Sequence, residues 1–65
     1  MKSFGENLKI ERQNAGYNQR EFAKKIGTTQ QRVSEWETNK VEPTLSNIVA
    51  IIKTLNISFE DLINN

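Results

Sequence analysis

The sequence predicts an all-α protein, a compact five-helix domain occupying residues 1–65. Three features lead there. A polar residue followed three positions later by an acid occurs at Ser3 and Glu6, at Asn18 and Glu21, and at Ser58 and Asp61. In this capping box the first side chain satisfies an orphan backbone amide and the acid reaches back to the cap. Gly16 and Gly27 each follow a helical run, where a residue free to turn left-handed stops the helix. Apolar and polar residues never alternate for long enough to build a strand.

Each helix then follows in order, with faces set by 100° per residue. The first starts at Ser3 and places Phe4, Leu8 and Ala15 on one stripe, which also takes in Glu11, with Arg12 at its edge. The second starts at Asn18 and offers Phe22, Ala23 and Ile26. The third begins at Thr28 or Thr29 and turns Val33 and Trp36 inward. Pro43 precedes Thr44, the N-cap of an apolar run from Leu45 to Leu55, whose inner residues are Leu45, Ile48, Ile52 and Leu55. The fifth, after Ser58, contributes Phe59, Leu62 and Ile63. Ile10 falls off its stripe, while Val49 and Ile51 widen theirs and leave apolar surface for a partner.

Composition narrows the chemistry. A chain of 65 residues buries only about 60% of the surface its unfolded form exposes, leaving little for a catalytic cleft. It has no cysteine and no histidine, which removes disulfides, cysteine zinc sites, thiol nucleophiles, and the commonest general base and metal ligand. The carboxylates show no spacing suited to an acid–base or metal pair, so neither an enzyme nor a cofactor is expected. No apolar run approaches the ~20 residues of a membrane span. The expectation is a soluble cytoplasmic protein with no membrane contact and no small-molecule ligand. Charge is uneven: residues 1–40 carry eight Lys/Arg against five Asp/Glu, and residues 41–65 one against three. The first part is therefore suited to facing an anion.

The tight connection at Gly27 is the most informative feature. Two helices joined within two or so residues cross steeply and need a small side chain where they touch, which Ala23 supplies. The set Gln19, Ala23, Gly27, Val33 and Trp36 has the spacing of a helix-turn-helix over about residues 18–38. In that motif the second helix enters the DNA major groove. A ligand-free helical bundle could also use alanine and glycine in this way, but the whole five-point pattern rarely arises by chance.

From "LKIERQNAGYNQREFAKKIGTTQQRVSEWETNKVEPTL" to "NISFEDL", the chain resembles the lambda-repressor-like family of bacterial and phage regulators, the Cro and cI type. The resemblance runs from about Phe4 to Leu62. It implies a dimer on DNA with contacts at the C-terminal end, and base reading by glutamines like those in "GTTQQ". The family commonly carries Glu-Asn-Gly-Lys after the recognition helix; here the residues are Glu37, Thr38, Asn39 and Lys40. Asn39 can adopt the left-handed conformation at some cost relative to glycine. Thr38 stands where the family's asparagine often meets a phosphate.

With Val33 and Trp36 inward, Gln31 and Glu35 point most directly outward, flanked by Arg32, Ser34 and Thr38. Base edges usually meet only the first turn or two of a recognition helix. A glutamine amide both donates and accepts, so it can pair with adenine N6 and N7. Gln30 and Gln31 are therefore the first candidates for base contact. Thr29 follows through its methyl, with Arg32, Ser34 and Glu35 in the same set. Arg32 could reach either a guanine or a phosphate. Phosphate contacts are expected from Asn18, Gln19, Thr38, Asn39, Lys40 and Thr44, several of them beside helix N-termini that suit an anion. Arg20, Lys24 and Lys25 suit either electrostatic support or an ordinary solvated face. Trp36 admits stacking on bases or packing in the core, and its position matches the motif's apolar core slot.

Glu37 lies on the inner side of its helix, where an unpaired carboxylate is costly. Arg12 is its natural partner, and the family resemblance implies an Arg–Glu salt bridge at these positions. The expected function is sequence-specific binding of double-stranded DNA by a homodimeric, repressor-type regulator on a palindromic operator. A protein-interaction module on the same scaffold, such as an antitoxin or adaptor, is the alternative. Val49, Ile51, Ile57, Ile63, Glu60 and Asp61 are the candidate partner-facing residues.

Overall fold

A computed structural model describes residues 2–64. It contains five helices: α1 (Phe4–Asn14), α2 (Gln19–Ile26), α3 (Gln30–Glu37), α4 (Leu45–Leu55) and α5 (Phe59–Ile63). α3 packs against α1 and α2, α5 closes onto α1, and α4 lies against α2.

All five starts are capped by side chains. Ser3, Asn18 and Ser58 form reciprocal capping boxes with Glu6, Glu21 and Asp61. Thr29 and Thr44 accept from the amides of Arg32 and Asn47 with no acid returning the bond. α2 stops at Gly27, whose φ of 78° is one that a side chain would resist. Two asparagines also turn left-handed, Asn39 at φ 62° and Asn56 at φ 56°.

The core consists of Leu8, Phe22, Ala23, Val33, Trp36, Ile51, Leu55 and Leu62. This agrees with the sequence reading for Val33 and Trp36 of α3 and for Phe22 and Ala23 of α2, whose Ile26 is only partly buried against the core, and corrects it elsewhere. In α4, Leu45 is 77% exposed and Ile51 fully buried, because the inward line of this helix runs through Ile51 and its i+4 neighbour Leu55. Ile51 is therefore withdrawn as a partner-facing residue. In α5 only Leu62 is buried, and Phe59 and Ile63 are each 46% exposed. Ala15 caps α1 and is exposed.

α1 departs furthest from expectation, because it buries Gly5 and Asn7 beside Leu8 and Arg12. The Asn7 Nδ2 donates to the backbone oxygen of Leu62 at 2.9 Å and fastens α5 to α1. Gly5 is buried because backbone approaches backbone: a Cβ there would lie 2.6 Å from the Trp36 carbonyl oxygen and closer still to that of Glu37.

Candidate nucleic-acid interface

The floor of the interface is an ionic cluster beneath α3. Glu37 and Arg12 are both buried and meet in a two-pronged pair. The Arg12 Nε donates to Glu37 Oε2 at 2.6 Å and Nη2 donates to Oε1 at 3.1 Å. The third guanidinium nitrogen, Nη1, donates to the Tyr17 carbonyl oxygen at 2.7 Å. Gln19 completes the cluster, its Nε2 donating to Glu37 Oε1 at 3.1 Å. One carboxylate thus ties together α1, the start of α2 and the end of α3. The arrangement has the shape a buried charge requires, with both carboxylate oxygens bonded and each guanidinium nitrogen donating to a partner.

Above this floor α3 separates its residues by height. Val33 and Trp36 face the core, as the motif requires. Thr29, Gln30, Gln31 and Arg32 are exposed at the N-terminal end, with the Thr29 Oγ1 accepting from the Arg32 amide at 3.1 Å. This turn contains no acid. The positive end of the helix dipole therefore faces outward with no carboxylate beside it. Two planar amides and one guanidinium stand on that end. Together they present paired donors and acceptors of the kind that match base edges, plus one cation for a guanine or phosphate.

Ser34 and Glu35 lie lower than expected. Both are half-buried, and the Glu35 carboxylate is 3.8 Å from Arg32 Nε. The chain after α3 folds back beside them, with Lys40 and Val41 donating their amides to the Glu35 carbonyl. Glu35 is thus less outward than its helical angle indicated.

The candidate phosphate residues divide. Lys40 is exposed just beyond α3, and Thr44 is exposed at the start of α4. Asn18 is exposed and uses its Oδ1 on the Glu21 amide at 2.8 Å. Three others have internal bonds. Gln19 is held by Glu37. The Thr38 hydroxyl donates back to the Ser34 carbonyl at 2.9 Å. Asn39 has both ends of its amide engaged: Oδ1 accepts from the Gly5 N–H at 3.0 Å, and Nδ2 donates to Ser3 Oγ at 2.9 Å. Its side-chain amide is therefore turned toward Gly5 and Ser3 of α1. The sequence reading missed both Gly5 and the Ser3–Asn39 contact. The available signal was a glycine in a helix's first turn, where it lowers helix stability without some packing reason.

On the far side of α3, an apolar cleft of about 270 Å³ is lined by Phe4, Trp36, Val41, Pro43, Phe59 and Ile63 among others. Among the described residues, no group of His, Cys, Asp or Glu could hold a metal ion. None of the described helices is long and apolar enough to cross a membrane.

Comparison with known proteins places this geometry. The helix-turn-helix family profile matches residues 8–62. The chain is 39% identical over 51 residues to the antitoxin HipB of Escherichia coli K12, and 36% identical over 56 residues to the transcriptional regulator DicA of the same organism. Those alignments take in 78% and 86% of this chain but only 58% and 42% of the relatives, so it spans about half their length. Among solved structures, the P22 c2 repressor in complex with a synthetic operator superposes with a TM-score of 0.90 at 26% identity, covering 98% of this chain and 97% of that one. The restriction-modification controller protein C.AhdI of Aeromonas hydrophila gives a TM-score of 0.84 at 27% identity, covering 91% of this chain and 89% of that one. By profile, sequence and fold, the chain belongs to the lambda-repressor-like, Cro/cI-type family of helix-turn-helix transcriptional regulators.

Proposed function

We propose that the protein is a sequence-specific double-stranded DNA-binding repressor that reads its operator through the first turn of α3. One observation carries this reading. Gln30 and Gln31 make no side-chain hydrogen bond among the described residues, and with Arg32, which faces only Glu35 at 3.8 Å, they form an exposed, acid-free N-terminal end standing on a floor that fixes the helix beneath them. Gln30 and Gln31 pair with adenine edges, and Thr29 packs its methyl against a thymine. Arg32 contacts a guanine or phosphate, with Ser34 and Glu35 at the margin of the readout. Lys40, Thr44 and Asn18 hold the DNA backbone, helped by the amides at the helix starts. Gln19 and Thr38 support them from positions already bonded within the protein. The protein acts as a homodimer on a palindromic site, with half-sites about 34 Å apart, and represses by occupancy. The likeness to the transcriptional regulator DicA supports the regulator class, and the likeness to the P22 c2 repressor bound to a synthetic operator supports an operator as the ligand.

Selection from random duplexes by the purified protein tests this directly. A palindromic consensus is expected. Repeating the selection with Gln31→Ala should relax the preference at one position per half-site, a loss of about 1–3 kcal/mol of discrimination, with the melting midpoint unchanged. An unchanged consensus would remove Gln31 from the readout.

A second reading, a protein-interaction module of antitoxin or adaptor type, is favoured by the apolar cleft and by the half-exposed Phe59 and Ile63 beside it. HipB, an antitoxin, is among the relatives. Salt separates the two, since duplex affinity governed by phosphate contacts falls steeply with salt concentration. Failure to bind duplex at low salt, alongside tight protein binding, would favour the module.

A further inference from the structure

The C-terminal end of α3 and the N-terminal end of α1 meet backbone to backbone at Gly5. Gly5 sits against the carbonyls of Trp36 and Glu37, so closely that a Cβ would collide with both. Asn39 closes the junction. Its left-handed φ of 62° turns the chain so that its own amide reaches back to Gly5 and Ser3. Ser3 Oγ meanwhile accepts from the Glu6 amide at 3.2 Å, so the same atom caps α1 and receives Asn39. A glycine would serve the turn with less strain. Asparagine adds two bonds across to another helix.

Resting on the DNA-reading proposal above, we propose that Asn39 is a positioning residue for base recognition. With Ser3 and Gly5 it forms a latch that fixes the angle at which α3 leaves the body of the protein. The latch is at the opposite end of α3 from Gln30 and Gln31. A small pivot there is carried along the eight-residue helix to the amides that must align with base edges. The ionic cluster at Glu37 fixes the depth of the helix, and the latch fixes its tilt. Base readout tolerates little looseness, because paired hydrogen bonds need both geometry and distance.

Asn39→Gly tests the assignment, because it keeps the left-handed turn and removes both latch bonds. The expected result is an intact fold, faster hydrogen exchange at the Gly5 amide, and a ratio of selected-duplex to random-duplex affinity that falls about tenfold, the scale of one misaligned bidentate contact. The slope of affinity against salt should be unchanged. Asn39→Asp keeps an acceptor for the Gly5 amide and should restore most of the ratio, even as its charge weakens both duplexes alike. An unaltered ratio in Asn39→Gly overturns the latch, as does unaltered Gly5 exchange or no recovery in Asn39→Asp. A variant that unfolds at the assay temperature also overturns it, since Asn39 would then act on folding and not on orientation. If the unmodified protein selects no duplex, the DNA-reading proposal itself falls. A selecting parent with an unaffected variant removes the latch alone.

Discussion

The two ends of α3 are built on opposite principles. At the C-terminal end the polar side chains are tied into the body of the protein: Glu37 is bound by Arg12 and Gln19, the Thr38 hydroxyl by Ser34, and the Asn39 amide by Gly5 and Ser3. At the N-terminal end Gln30, Gln31 and Arg32 stand exposed over a single cap bond. The same side-chain type serves both roles, since the Gln19 amide is held by a buried carboxylate while the Gln30 and Gln31 amides face solvent. A helix that has to present unsatisfied groups accurately needs its other end immobilised. The saturated end supplies that rigidity.

The contrast can be broken most severely from beneath. Arg12→Ala leaves the Glu37 carboxylate buried with only Gln19 for a partner, and should destabilise the fold by about 3–5 kcal/mol, read by urea or thermal unfolding. An unchanged midpoint would show that the cluster is not what anchors α3. Gly5→Ala comes next. Its methyl meets backbone carbonyls and no yielding side chain, so a loss of ~1–3 kcal/mol is expected, together with perturbed amide resonances at Trp36 and Glu37. A silent Gly5→Ala would mean that α1 and α3 can separate without cost.

The smallest effect concerns the cap that shares Ser3 with the latch. The Glu6 carboxyl is held below its ordinary range, chiefly by the hydrogen bond from the Ser3 backbone amide and then by the Ser3 hydroxyl. A lowered value in the folded state means that this carboxylate supports α1 at neutral pH and ceases to do so as pH falls through its folded value. Wild type should therefore lose a small increment of stability on the acid side that Glu6→Gln lacks. Superimposable acid limbs for the two proteins would contradict that.

Much of this was legible in the sequence because it is local. Ser3, Asn18, Thr44 and Ser58 declare their caps by residue type and spacing, the start of α3 is narrowed to Thr28 or Thr29, and Val33 and Trp36 declare the inner face of α3 by the steep crossing at Gly27. The exposed glutamines follow from the same period. The rest depends on which way helices are laid against one another, and periodicity carries no such information. α4 is apolar on most of its circumference, so nothing local chose Ile51 over Leu45 for the core. Glu35 has an outward helical angle, yet it is half-buried and its carboxylate faces Arg32. Asn39 has the sequence signature of a turn, while its bonds run to residues 34 and 36 positions away.

Trp36 gives the fold a built-in reporter. It is the single tryptophan of the chain, lies on α3 at 1% exposure, and its shielded indole Nε1–H has no acceptor among the described residues. An indole in so dry a setting emits at short wavelength, and shifts to the red when water or a hydrogen-bond acceptor reaches it. Because it also lines the apolar cleft beside Phe59 and Ile63, its emission senses two faces of the molecule at once. One optical signal, with no label attached, follows both the seating of the recognition helix and the arrival of anything that fills the cleft behind it.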